Sequence, residues 1–196
     1  MPRAQREQLI LDIAGQVFAR DGYHSASMDE IARAAGVSKP MLYAYFESKE
    51  GLYLSYIERS GQELVERLQR AFAAGDPATV HAPERVSEFL SFVEEHRDGW
   101  RVLFGEASAN RPVAEQVSQM RGRIAQAVQQ LVEAGLDEDQ IVGPAAEAVA
   151  HAIVGAGESL ANWWLEHPEV SRDDVAGWYA QVVRASVVAV MPRSAA

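Results

Sequence analysis

The chain has 196 residues, nearly half of them apolar, which is enough for one or two small domains with a real core. No run approaches about eighteen apolar residues without a charge, and no basic segment followed by an apolar one opens the chain. No membrane span or secretory signal is therefore expected, and the cytoplasm is the expected compartment. Cysteine is absent, which excludes disulfides and thiolate metal sites, and the net charge of −10 argues against indiscriminate binding to nucleic acid.

That charge is uneven. Residues 1–50 hold six basic and seven acidic side chains, whereas the remainder holds twelve and twenty-one. Both lysines of the chain, Lys39 and Lys49, fall in the first part, with Arg3, Arg6, Arg20 and Arg33. Exposed charges more than about 10 Å apart are largely screened at ~0.1 M salt, so an acidic body can stand behind a locally basic edge.

The first helix is predicted over 3–21, where Ile10, Ile13, Ala14, Val17 and Phe18 form one stripe and Asp21-Gly22 ends it. Arg3 and Arg6 at its start suit phosphate contact and a solvated terminus equally. Ser27 with Glu30 fits a capping box, opening a second helix with apolar groups at Met28, Ile31, Ala32 and Ala35. Gly36 follows at once and stops it. Val37 plugs the corner, Ser38 caps a third helix, and Pro40 falls in its first turn, where a missing N–H does no harm. That helix buries Leu42 and Phe46, spaced i, i+4.

Lys39, Pro40, Met41, Tyr43 and Tyr45 are left on the other side. Such a face suits a helix laid into the DNA major groove, its hydroxyls and ammonium reaching phosphate and its apolar groups meeting thymine methyls. An ordinary helical hairpin with solvated tyrosines gives the same spacing. The candidate DNA contacts are Ser27, Ser38, Lys39, Pro40, Met41, Tyr43 and Tyr45, with Lys49 in the first turn of the next helix, where a helix N-terminus attracts phosphate.

Ser48 opens a long helix that should reach Ala74 and stop at Gly75-Asp-Pro, with Gly51 and Gly61 weakening it. The domain boundary is placed inside it, dividing the chain into a DNA-binding domain over 1–50 and a helical dimerisation domain over 51–196. Further helices are predicted over 83–97, 100–110, 111–134, 145–166 and 171–190, and the acidic Asp137-Glu-Asp139 reads as a solvated loop. Over 145–166 small groups recur at Ala148, Ala152, Gly155, Ser159 and Asn162, a narrow seam suited to close helix contact. Over 171–190 Val175, Tyr179, Val182, Ser186 and Val190 line one face. These two helices show more apolar surface than one face can hide. A homodimer through a four-helix bundle is expected, with Ala148, Ala152, Gly155, Ser159, Val175, Tyr179, Val182 and Ser186 at the interface. A buried intramolecular pair is the alternative.

The five histidines fall at no helical zinc spacing, and no nucleophile elbow, Walker loop or dinucleotide fingerprint is present. No catalytic residue, metal or cofactor is expected, and the chain is not read as an enzyme.

Residues 6–53 resemble the DNA-binding domain of the TetR family of transcriptional regulators. The resemblance is carried by Ile10, Ala14, Phe18, Gly22, Ser27, Ile31, Ala32, Ala35-Gly-Val-Ser-Lys39, Leu42-Tyr43, Tyr45-Phe46, Lys49 and Leu52. Ser27 stands where threonine is common, and the hydroxyl is retained. The resemblance implies an all-α chain, a three-helix head on a six-helix body, pairing as a homodimer on a near-palindromic double-stranded DNA operator. It also implies a repressor released by a small hydrophobic or amphipathic effector bound among the central body helices. Candidate lining residues are Phe89, Phe92, Trp100, Phe104, Met120, Ile124, His151 and Trp163, together with Trp164; taken singly, each reads more readily as ordinary core or surface. The rival reading is a ligandless regulator controlled by a protein partner.

Overall fold

The structure, a computed structural model, describes residues 1–73, 83–97, 100, 111–134 and 143–190. Among these every regular element is a helix: α1 (Arg3–Ser25), α2 (Met28–Ala34), α3 (Lys39–Phe46), α4 (Lys49–Ala73), α5 (Pro83–Glu95), α6 (Arg111–Ala134), α7 (Pro144–Glu166) and α8 (Arg172–Val190). The head has the three helices expected, and five more follow. Apart from Trp100, the short helix expected over 100–110, with Phe104, lies outside the described residues, as do the Gly75-Asp-Pro stop and the 137–139 loop. No helix of the described residues is long and apolar enough to cross a membrane.

Packing divides the chain into two units: Met1–Gln62 with His96–Met120, and Glu63–Glu95 with Arg121–Ala196. In the first unit the core is built on α1 and α4. Ile10, Ala14 and Phe18 of α1 and Leu52, Tyr53 and Ile57 of α4 are buried. The Phe18 and Tyr53 rings meet edge-on at 4.8 Å between centroids. The Tyr56 ring occupies the notch left by Gly15. Arg59 of α4 ties to α1 through Asp12 at 2.7 Å and the Gln8 side chain at 2.9 Å. Regular helix in α1 breaks at Gly22, where φ is 73° and ψ is 164°, and resumes briefly to Ser25.

The α2–α3 corner follows the caps. Ser27 Oγ accepts from the Glu30 N–H at 3.5 Å. Glu30 does not complete the reciprocal capping box; its carboxylate accepts from Arg20 at 2.6 Å. Gly36 has φ of 66°; its N–H donates to the Arg33 carbonyl at 3.2 Å, and the Val37 N–H donates to the Ala32 carbonyl at 3.0 Å. These are the two bonds of a Schellman motif, whose positive φ favours glycine. Ser38 Oγ then accepts from the Met41 N–H at 3.3 Å to start α3.

Between α3 and α4 there are two residues. Glu47 has φ of 61° and ψ of −42°, and the Ser48 N–H donates back to the Phe46 carbonyl at 2.6 Å. That is a γ-turn with positive φ on a non-glycine residue, a strained link of minimal length. Ser48 Oγ caps α4 by accepting from the Gly51 N–H at 2.9 Å. Gly51 is not merely a weak point in α4: a Cβ there would overlap the Phe46 carbonyl oxygen.

In the second unit α8 packs on α5 and α7. Tyr179 of α8 is buried, its hydroxyl donating to the Ile153 carbonyl at 2.6 Å, and burial pushes its pKa well above the ordinary phenol value. Gly157 makes room for that ring. The Trp164 indole N–H donates to the Val170 carbonyl at 2.9 Å, closing the turn into α8, which Ser171 caps by accepting from the Asp174 N–H at 3.1 Å.

Two glycines should respond oppositely to alanine. Gly51→Ala forces a methyl against backbone that has little freedom to yield and is expected to cost roughly 1–3 kcal/mol. Among the described residues, an added Cβ at Gly122, inside α6, meets nothing within 4 Å. Gly122→Ala should stabilise by about 0.5–1 kcal/mol. Urea denaturation of both variants checks the pair; a Gly51→Ala chain as stable as the parent contradicts the packing described.

Candidate functional site

Leu42 is fully buried and Phe46 nearly so, which fixes the rotation of α3 about its axis. The opposite side is therefore presented outward. Lys39, Pro40 and Ala44 are exposed, with Met41 at 36% and Tyr43 at 39% of their full accessibility. Both α2 and α3 also offer exposed N-terminal turns at Ser27 and Ser38, although each hydroxyl already caps its own helix.

The charged groups around this face are engaged within the chain. Lys39 Nζ lies 2.9 Å from Asp29 Oδ2, and this carboxylate holds the ammonium above the usual lysine pKa. Both side chains are largely exposed, so the pair is weak and exchanges readily for another anion. Arg20 is held by Asp21 and Glu30, each at 2.6 Å. Lys49 does not extend freely from the start of α4. Its Nζ donates to the His24 carbonyl at 2.8 Å and stands 5.0 Å from the Tyr23 ring centroid. Desolvation there lowers its pKa.

Tyr45 also differs from Tyr43. It is half-buried, its ring centroid 6.0 Å from that of Phe46, and the Arg3 guanidinium lies over it at 5.3 Å. The Lys39–Asp29 and Arg3–Tyr45 contacts join residues on different helices, and no local spacing announces them.

The candidate effector-lining residues fall in both units. In the first, Trp100 and Met120 are buried. In the second, Phe92 and Ile124 are buried, and the half-buried Phe89 ring lies 5.9 Å from Tyr179. Trp163 is placed differently from the expectation: it is exposed and stacked on His167 at 4.3 Å, because the adjacent Trp164 takes the inward position. His151 is exposed and lines two open clefts of about 430 and 330 Å³, the larger with Arg121, Gly155, Glu158 and Asn162. Among the described residues no three His, Asp or Glu side chains gather to hold a metal ion.

For the expected dimer surface, Ala148, Ala152, Gly155 and Ser159 are exposed along α7, and Val182 is exposed on α8. Ser186 is half-buried. Val175 and Tyr179 are not available on this surface, since both lie inside the unit. The open side of α8 carries Trp178, Val182 and Val188 instead.

Two family models match the chain: "Bacterial regulatory proteins, tetR family" over residues 10–56, and "Tetracyclin repressor-like, C-terminal domain" over 83–186. The HTH-type transcriptional activator FasR of Mycolicibacterium smegmatis is 34% identical over 170 residues, covering 85% of this chain and 75% of that protein. A TetR-like transcriptional regulator from Rhodococcus sp. RHA1 superposes with a TM-score of 0.75 at 34% identity, covering 96% of this chain and 98% of the other. The transcriptional regulator FadR from Bacillus subtilis, in complex with stearoyl-CoA, matches with a TM-score of 0.76 at 18% identity, over 92% of this chain and 97% of that one.

Proposed function

Because this chain belongs to the TetR family of bacterial transcriptional regulators, we propose that it binds a near-palindromic operator as a cytoplasmic homodimer and answers to an amphipathic acyl ligand. The observation that carries the DNA reading is the outward side of α3, with Lys39, Pro40, Met41 and Tyr43 exposed opposite the buried Leu42 and Phe46. Two such helices must meet successive major-groove faces roughly 34–36 Å apart, hence the palindrome. The ligand class is supported by the stearoyl-CoA held by the FadR neighbour and by the apolar side chains gathered in the second unit, among them Leu90, Phe92 and Ile124. Such a ligand acts to the extent that it binds two dimer shapes with different affinity.

The division of labour on DNA is testable with a duplex from upstream of the chain's own gene and a scrambled duplex. Tyr43→Phe removes a hydroxyl suited to phosphate and should weaken both complexes alike. Lys39→Ala should instead lower the preference between them by about tenfold. Equal losses from both variants on both duplexes would contradict these roles.

Dimerisation is supported by a strip of small residues on α7. Among the described residues a Cβ added at Gly155 would meet nothing within 4 Å, as at Gly122 and Gly177, but Gly155 alone of the three lies on this exposed strip. With Ala148, Ala152 and Ser159 it leaves a flat strip that a second copy can approach closely. Gly155→Leu should keep the helical signal and melting behaviour of a folded chain while shifting sedimentation from dimer to monomer. An undiminished dimer would remove this strip from the interface.

The sign of regulation is kept as repression. A second reading, activation, is favoured by the activator named among the relatives at 34% identity. A reporter on the same upstream promoter separates them: deleting the gene raises output from a repressed promoter and lowers it from an activated one. Feeding long-chain fatty acid should reproduce the deletion in either case, and an output that ignores the acid would exclude the acyl effector.

A further inference from the structure

The DNA reading leaves open where the phosphate-gripping charge comes from, because the head's cations are mostly engaged. Of the six basic side chains in residues 1–50, four have an acceptor within the chain. Arg20 is held by two carboxylates, and Lys39 by Asp29. Lys49 donates to the His24 carbonyl, and Arg6 donates to the Met1 carbonyl at 3.3 Å. The carboxylates offset the charge of Arg20 and Lys39, whereas Lys49 and Arg6 each commit one donor to a carbonyl.

Arg3 is held in another way. Its guanidinium carbon lies 5.3 Å from the Tyr45 ring centroid, within the range of a cation–π contact, and its side chain is exposed. A guanidinium held by the π face of a ring commits no N–H donor to an oxygen acceptor, so this contact and phosphate binding do not compete for donors. Tyr45 is half-buried and backed by Phe46, which gives the platform a fixed position. Met41 and Tyr45 are four residues apart on α3 and so share a side of the helix. The ring that carries the cation therefore projects from the same side of α3 as the exposed Met41. Arg33, the sixth cation, is exposed on α2 and, among the described residues, lies over no ring.

We infer that Arg3, carried on the ring of Tyr45, is a phosphate-binding residue of the head, and that Tyr45 is its positioning residue. The start of α1 and the last turn of the chain's DNA-facing helix thereby form one anion-binding element. This rests on the DNA reading above and goes beyond it in assigning the charge.

The test is a salt titration of binding by the full-length chain, followed by fluorescence anisotropy on duplexes of about 30 base pairs, long enough for two half-sites. One duplex comes from upstream of the chain's own gene and the other is scrambled. Each phosphate contact contributes about 0.9 to the slope of log affinity against log salt. Arg3→Ala should lower that slope by about 1 for each head, and weaken both duplexes alike by roughly three- to tenfold. Tyr45→Phe keeps the ring face and should retain more of the parent slope than Tyr45→Leu. Tyr45→Leu should lose the slope as Arg3→Ala does, and adding Arg3→Ala to it should cost nothing further. Melting curves establish that each variant is folded. A parent slope in Arg3→Ala, equal behaviour of the two Tyr45 variants, or additive losses in the double variant would overturn the inference. If the parent chain itself binds neither duplex in a salt-dependent way, the DNA reading fails first and this assignment falls with it.

Discussion

Two buried side chains on an eight-residue helix decide what this molecule can offer to a partner. Leu42 and Phe46 are one helical turn apart on α3, and both are buried. Once they are seated, α3 has a single rotation available, and the identity of its outer residues follows from the sequence. The serine cap and the left-handed glycine before it set where α3 begins. A short helix has little intrinsic stability, so these tertiary anchors, rather than propensity, hold it.

The anchors are themselves held from behind. Phe46 ends α3, its carbonyl accepts the bond that closes the turn at Glu47, and that same carbonyl is where Gly51 of α4 comes closest. The first half of α4 is in turn fixed to α1 by the Tyr56 ring in its glycine notch and by Arg59 reaching Gln8 and Asp12. No free linker separates α3 from α4. The strain at Glu47 keeps that connection short.

Much of the head was legible in the sequence because its information is local. Ser27, Gly36 and Ser38 announce their caps through chemistry that acts within four residues, and Leu42 with Phe46 through a helical repeat. What was not legible depends on neighbours distant along the chain. Nothing near Lys49 indicates that its ammonium turns to His24, and nothing near Tyr45 indicates that Arg3 lies on it. Gly51 read as a defect in a helix because propensity is a property of one element, whereas its contact with Phe46 belongs to two. In the body, a stripe of Val175, Tyr179, Val182 and Ser186 fits one helical face on paper. The helix packs against two others, so the stripe straddles buried and open sides, and Trp178 rather than Tyr179 reaches the surface. Trp163 and Trp164 show the same limit: adjacent positions look alike in composition and face opposite ways.

The two-residue join at Glu47 and Ser48 bears on how this head could be transplanted. A chimera cut just after α3 would carry off α3 and leave behind Gly51, Tyr56 and Arg59, which hold it in place. A graft that keeps α4 at least through Arg59 takes the whole clasp along. For anyone exchanging promoter specificities between relatives, the portable module ends about two turns deeper into the long helix than the motif itself suggests.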